Sequence, residues 1–165
     1  SDVYKRQPLL GWFLDHKGKG ATMLMIGAIL MFICHMTFAL VPLTPAIAFS
    51  AIILLGLSFS LVPAALWPSV PKLVDNRYMG SAYATIFWIQ NLGLMAFPMI
   101  IGWVLNKVNP GVGEAIKAGE HVSYNYTVPM LIFASLGVLA FLLAFWLKLE
   151  DRKKHYGLEL PNIKK

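Results

Sequence analysis

Two adjacent amides, Gln90 and Asn91, sit in the middle of a long apolar run and have the clearest capacity for chemistry in this sequence. An amide in hydrocarbon is unfavourable unless it hydrogen-bonds, so the pair must meet a solute, a water-filled cavity or another helix. Ser58 offers a hydroxyl in a second apolar run, and Trp88 and Tyr83 flank the amides with aromatic surface. These five residues form a candidate cavity for a small polar solute. Each has a plainer reading too, since intramembrane amides glue helices together and aromatics at helical spacing pack against neighbours. A second group, Gly11, Asp15, Gly18 and Lys19, lies in a short polar segment. Its two glycines permit a tight reversal, and an Asp beside basic residues can accept hydrogen bonds from the open N–H groups of a helix start.

Other chemistries find no matching residues. Gly18-Lys19 is followed by Gly20 rather than Ser or Thr, and Phe13 stands where a phosphate-binding loop needs its first glycine. Gly111-Val112-Gly113 lacks the third glycine and the strand–helix setting of a dinucleotide site. His16, His35, His121 and His155 are scattered, so no metal site and no cofactor is expected. His35 lies inside an apolar run and reads as a packed or snorkelling side chain. The single Cys34 has no partner for an internal disulfide and reads as a small packing residue. With no paired carboxylates and no nucleophile–base pair, an enzyme is not expected.

The elements that must hold these residues follow from where charge is missing. Residues 21–41, 46–71, 80–106 and 127–147 contain no Asp, Glu, Lys or Arg. Each stretch is long enough, at about 1.5 Å per helical residue, to cross a hydrocarbon core of about 30 Å. Backbone groups in lipid must bond within their own segment, so all four are predicted to be transmembrane helices. The fold class is therefore an all-α, polytopic membrane bundle. Counted from position 80, Gln90 and Asn91 fall about 15 Å deep, near the bilayer middle. Pro63 and Pro98 each remove an intrahelical hydrogen bond and permit a kink. Gly56, Ser60 and Ala64 recur at four-residue spacing, a small stripe expected to pack closely.

Basic residues set the orientation. Lys17, Lys19, Lys72, Arg77, Lys148, Arg152, Lys153, Lys154, Lys164 and Lys165 share one side, against Lys107 and Lys117 on the other. That asymmetry places both ends in the cytoplasm, in a plasma membrane or bacterial inner membrane. Segment 107–126 becomes an outward loop, carrying an Asn125-Tyr126-Thr127 sequon, and 148–165 a solvated cytoplasmic tail. The formal charge of +6 lies at helix ends rather than on a soluble basic domain, so nucleic acid is not an expected partner. Residues 1–7, SDVYKRQ, are polar and aperiodic and stop abruptly at Pro8. They resemble a translated transposase mosaic-end sequence used in sequencing libraries and are set aside as non-native.

Gly11, Asp15, Gly18 and Lys19 resemble the cytoplasmic signature loop of the major facilitator superfamily, with Gly20 where a second basic residue is common. In that family the signature joins helices 2 and 3 and recurs, weaker, between helices 8 and 9. The resemblance implies that 8–20 is the end of a truncated helix plus the signature loop, and that the four spans are helices 9 to 12. It also implies a secondary transporter working by alternating access, completed by missing N-terminal helices of the same protein. The signature Asp is then expected to latch the start of the third span, near 80–82. Ala65-Leu66-Trp67-Pro68, Gly80-Ser81-Ala82-Tyr83 and Ile89-Gln90-Asn91-Leu92-Gly93 resemble the branch containing the lysosomal dipeptide transporter and its bacterial relatives. That likeness implies peptide-like or other small polar solutes, with the lipid bilayer as the other partner. The alternative is a non-transporting membrane module, a sensor or an assembly subunit.

Overall fold

In the computed structural model, which describes residues 12 and 14–162, the chain is a bundle of long helices. Helix α1 spans Gly20–Leu40 and α2 spans Pro45–Leu73. A 3₁₀ turn at Asn76–Tyr78 leads into α3, Met79–Val108. A short α4, Val112–Lys117, sits in the following connection, and α5 covers Thr127–Lys154. Four of these helical stretches are long and apolar enough to cross a membrane: Gly20–Leu40, Pro45–Leu73, Asn76–Val108 and Thr127–Lys154. Among the described residues there is no strand.

Helix starts are made locally. Thr44 caps α2 by accepting the Ile47 N–H on its Oγ1, and Pro45 fills the first position, where a missing N–H costs nothing. The connection between α3 and α5 is closed by a knot of two asparagines. Asn109 Nδ2 donates to the Asn125 carbonyl at 3.0 Å, and the Asn125 N–H donates to Asn109 Oδ1 at 2.7 Å. Asn125 Oδ1 in turn accepts the Thr127 N–H at the start of α5. The sequon asparagine therefore serves here as a helix-start acceptor.

Helix α1 packs against both α2 and α5, and the contact relies on small residues. Ser58 Oγ donates to the Gly27 carbonyl at 2.7 Å across the α1–α2 seam. A Cβ on Gly27 would sit 2.7 Å from Val62 Cγ2, and one on Gly137 would sit 3.2 Å from the Phe32 backbone. The buried seam of α2 runs through Ala51, Ser58 and Ala65, at seven-residue spacing. The expected stripe of Gly56, Ser60 and Ala64 is not the face of α2 that meets α1. Gly56 and Ser60 face outward, with nothing within 4 Å of a Cβ at Gly56. Seven residues make two turns, which keeps a seam aligned along a gently supercoiled neighbour.

At one end of the bundle Leu14, Met23, Leu24, Ala65 and Ala144 form an apolar core, backed by Leu61, Leu66 and Leu147. Helix α3 differs from the other three long helices. It touches α2 and α5 lightly, and none of its residues is buried. The tail corrects another expectation. Helix α5 continues through Lys154, and the chain reverses at His155, in the left-handed region, and folds back onto the bundle instead of extending into solvent.

Candidate functional site

The amide pair lies on the open surface of α3. Gln90 and Asn91 are both exposed, and Asn91 Nδ2 donates to the Phe87 carbonyl at 2.7 Å. That bond spends one amide N–H, and among the described residues the Asn91 side-chain oxygen and the Gln90 amide make no other hydrogen bond. Trp88 is exposed on the same helix. Pro98 lies two turns further on and cannot donate to the Leu94 carbonyl, one more polar group at mid-helix. Tyr83 points to α2, where its hydroxyl donates to the Trp67 carbonyl at 3.4 Å. Its ring lies 5.9 Å from Trp67, and Phe87 stacks on the same indole at 5.1 Å. These aromatics form the bridge that holds α3 to α2. Ser58 is not brought to the amides, because its buried hydroxyl is committed to Gly27 on α1. A groove of about 390 Å³ opens between the adjoining ends of α2 and α3, lined by Val70, Val74, Tyr78, Ser81, Ala82 and Thr85.

Gly11 of the signature lies outside the described residues, whereas Asp15, Gly18 and Lys19 are placed. The Gly18 N–H donates to the Leu14 carbonyl, ending a short helical turn, and both Gly18 and Lys19 adopt positive φ, 70° and 66°. Asp15 is placed beside the tail rather than at the start of α3. Its Oδ1 accepts Asn162 Nδ2 at 2.9 Å, and the start of α3 has no side-chain cap. The folded-back tail lies beside Asp15.

The residues that complete this end were not singled out by sequence. The Lys19 N–H donates to the Glu159 carbonyl at 3.1 Å and the Gly20 N–H to the Leu158 carbonyl at 3.0 Å. The Glu159 carboxylate accepts the Thr22 N–H at 2.9 Å and the Thr22 hydroxyl at 2.8 Å. Lys148 from α5 donates to Thr22 Oγ1 at 2.6 Å and faces Glu159 Oε2 at 3.8 Å. Lys72 at the end of α2 donates to the carbonyls of Gly157 and Leu160, at 3.0 and 2.9 Å. Asp151 accepts the Leu158 N–H, and Leu158 itself is 1% exposed. The first-turn N–H groups of α1, which no helix can satisfy internally, are thus met by the far end of the chain. A signal was present in Gly157-Leu158-Glu159-Leu160, where two leucines flank one acid in a segment otherwise read as solvated.

His16 and His35 each donate through Nδ1 to a carbonyl four residues back, Trp12 and Met31. Among the described residues no group of three or more His, Cys, Asp or Glu could hold a metal.

Four helices long and apolar enough to cross a membrane define a multi-pass integral membrane protein. The Major Facilitator Superfamily profile matches residues 7–161, and the chain belongs to that family. It is 38% identical over 99 residues to the lysosomal dipeptide transporter MFSD1 of Danio rerio, covering 60% of this chain and 21% of that protein. The Homo sapiens MFSD1 is 36% identical over 100 residues, covering 61% of this chain and 21% of its own. The Mus musculus protein is 35% identical over 100 residues, with the same coverage. The chain thus spans about a fifth of the length of the curated relatives it matches. No solved structure matches it.

Proposed function

We propose that this chain is the part of a secondary transporter that supplies helices 9 to 12, carrying peptide-like or other small polar solutes by alternating access. The whole protein is a carrier rather than an enzyme, and its cavity needs the remaining helices. One observation carries the reading: α3 bears adjacent amides at mid-span and buries no residue against its own neighbours. Such a helix is stable in a membrane where other protein or a water-filled cavity meets its polar face. Gln90 and Asn91 are the proposed solute contacts, with Trp88 as apolar wall and Tyr83 positioning α3 through Trp67. The relatives are named as dipeptide transporters, which supports peptide bonds or terminal charges as the groups recognised. The charge asymmetry supports a cytoplasmic location for the signature loop and the tail.

Uptake by the full-length protein in proteoliposomes tests the proposal. Dipeptides are expected to enter and to exchange with dipeptides already inside. N91A is expected to weaken apparent affinity about tenfold, the cost of one lost hydrogen bond to a solute, without lowering the folded yield. Affinity unchanged in both Q90A and N91A would remove the amide pair from the site. Vesicles that exchange no small solute would reject the transporter reading.

A further inference from the structure

We infer that residues 155–162 are a strap that locks α1, α2 and α5 into one rigid body at the signature end. The locking stands on geometry alone, and its place in a transport cycle rests on the transporter reading above. The strap reaches all three helices by different chemistry. Glu159 holds α1 through Thr22 and faces Lys148 of α5, while Lys72 reaches across from α2 to two strap carbonyls. Leu158 plugs the centre at 1% exposure. Approach is close enough that a Cβ on Gly18 would lie 2.5 Å from the Glu159 carbonyl oxygen. Among the described residues, no hydrogen bond of the strap goes to α3.

A body tied this way is one of the two rigid parts that a rocking motion needs. Helix α3 joins this body through the Trp67 bridge, by ring contacts and the Tyr83 hydroxyl, rather than through the strap.

Cross-linking in membrane vesicles containing the full-length protein, in a C34S background, tests both parts. T22C/E159C is expected to oxidise to a disulfide, seen as two fragments still joined after a protease cut between α3 and α5. D15C/N162C, which keeps Glu159, is expected to join as well. S81C/E159C, reaching to the start of α3, is expected to give about a tenth of either yield or less. Equal yields from all three pairs, or no joining by both strap pairs, would overturn the docking. Solute uptake by the oxidised T22C/E159C protein is expected to stay within about twofold of the reduced protein. A larger loss would mean that the strap must release during the cycle and would overturn the rigid body. The cross-link needs no transport, so vesicles inactive in both states would refute the transporter reading while the docking result stood.

Discussion

At the scale of single residues, the signature loop is shaped as much by what lies on top of it as by its own turn. Gly18 meets two demands together, a φ of 70° and a strap backbone 2.5 Å from any Cβ. G18A is therefore expected to cost more than the about 1–2 kcal/mol of a left-handed alanine alone, because the strap must also lift. Thermal unfolding of the purified protein in detergent checks this. If G18A and a chain ending at Lys154 destabilise independently and additively, the close approach is not what constrains the glycine. Gly18 and Asp15 were legible from local spacing, since tight turns and acids beside helix starts have short-range signatures. Glu159 was not, because its partner Thr22 lies 137 positions away. An acid in a charged tail reads as solvated until the fold brings a helix start to it.

At the scale of elements, the four spans were legible because length without charge is enough to define a membrane helix. Faces were not. The helices are apolar on all sides, so sequence gave little direction for α2, and small residues at four-residue spacing competed with small residues at seven. The seam chosen is the one where Ser58 finds the Gly27 carbonyl. G27V is expected to part α1 from α2, because even a Cβ there would meet Val62 at 2.7 Å, at a cost of about 1–3 kcal/mol. A melting temperature equal to that of the unaltered protein would show that the seam repacks freely. The end of α5 was misjudged for a related reason. Lys148, Glu150 and Asp151 look like the onset of a solvated tail, yet Glu150 pairs with Lys153 and Lys154 one turn on, and Asp151 holds the returning chain.

At the scale of the whole molecule, α1, α2 and α5 form a packed unit with α3 applied to its side. Orientation in the membrane is proposed from charge. An alkaline phosphatase reporter placed within α4 is expected to be active in a bacterial host, and one after Lys154 inactive. The reverse pattern would invert the topology and move the strap to the outer face. The strap also has a consequence for how the chain is made. The N–H groups at the start of α1 are made well before the segment that satisfies them, which follows 137 residues later, after three further spans. A chain grown past α1 but short of Glu159 thus carries an open, proton-donating helix end, and closure of so long a loop must follow insertion of all four spans. Docking of Leu158 and Glu159 then reports that all four spans of this bundle have been made.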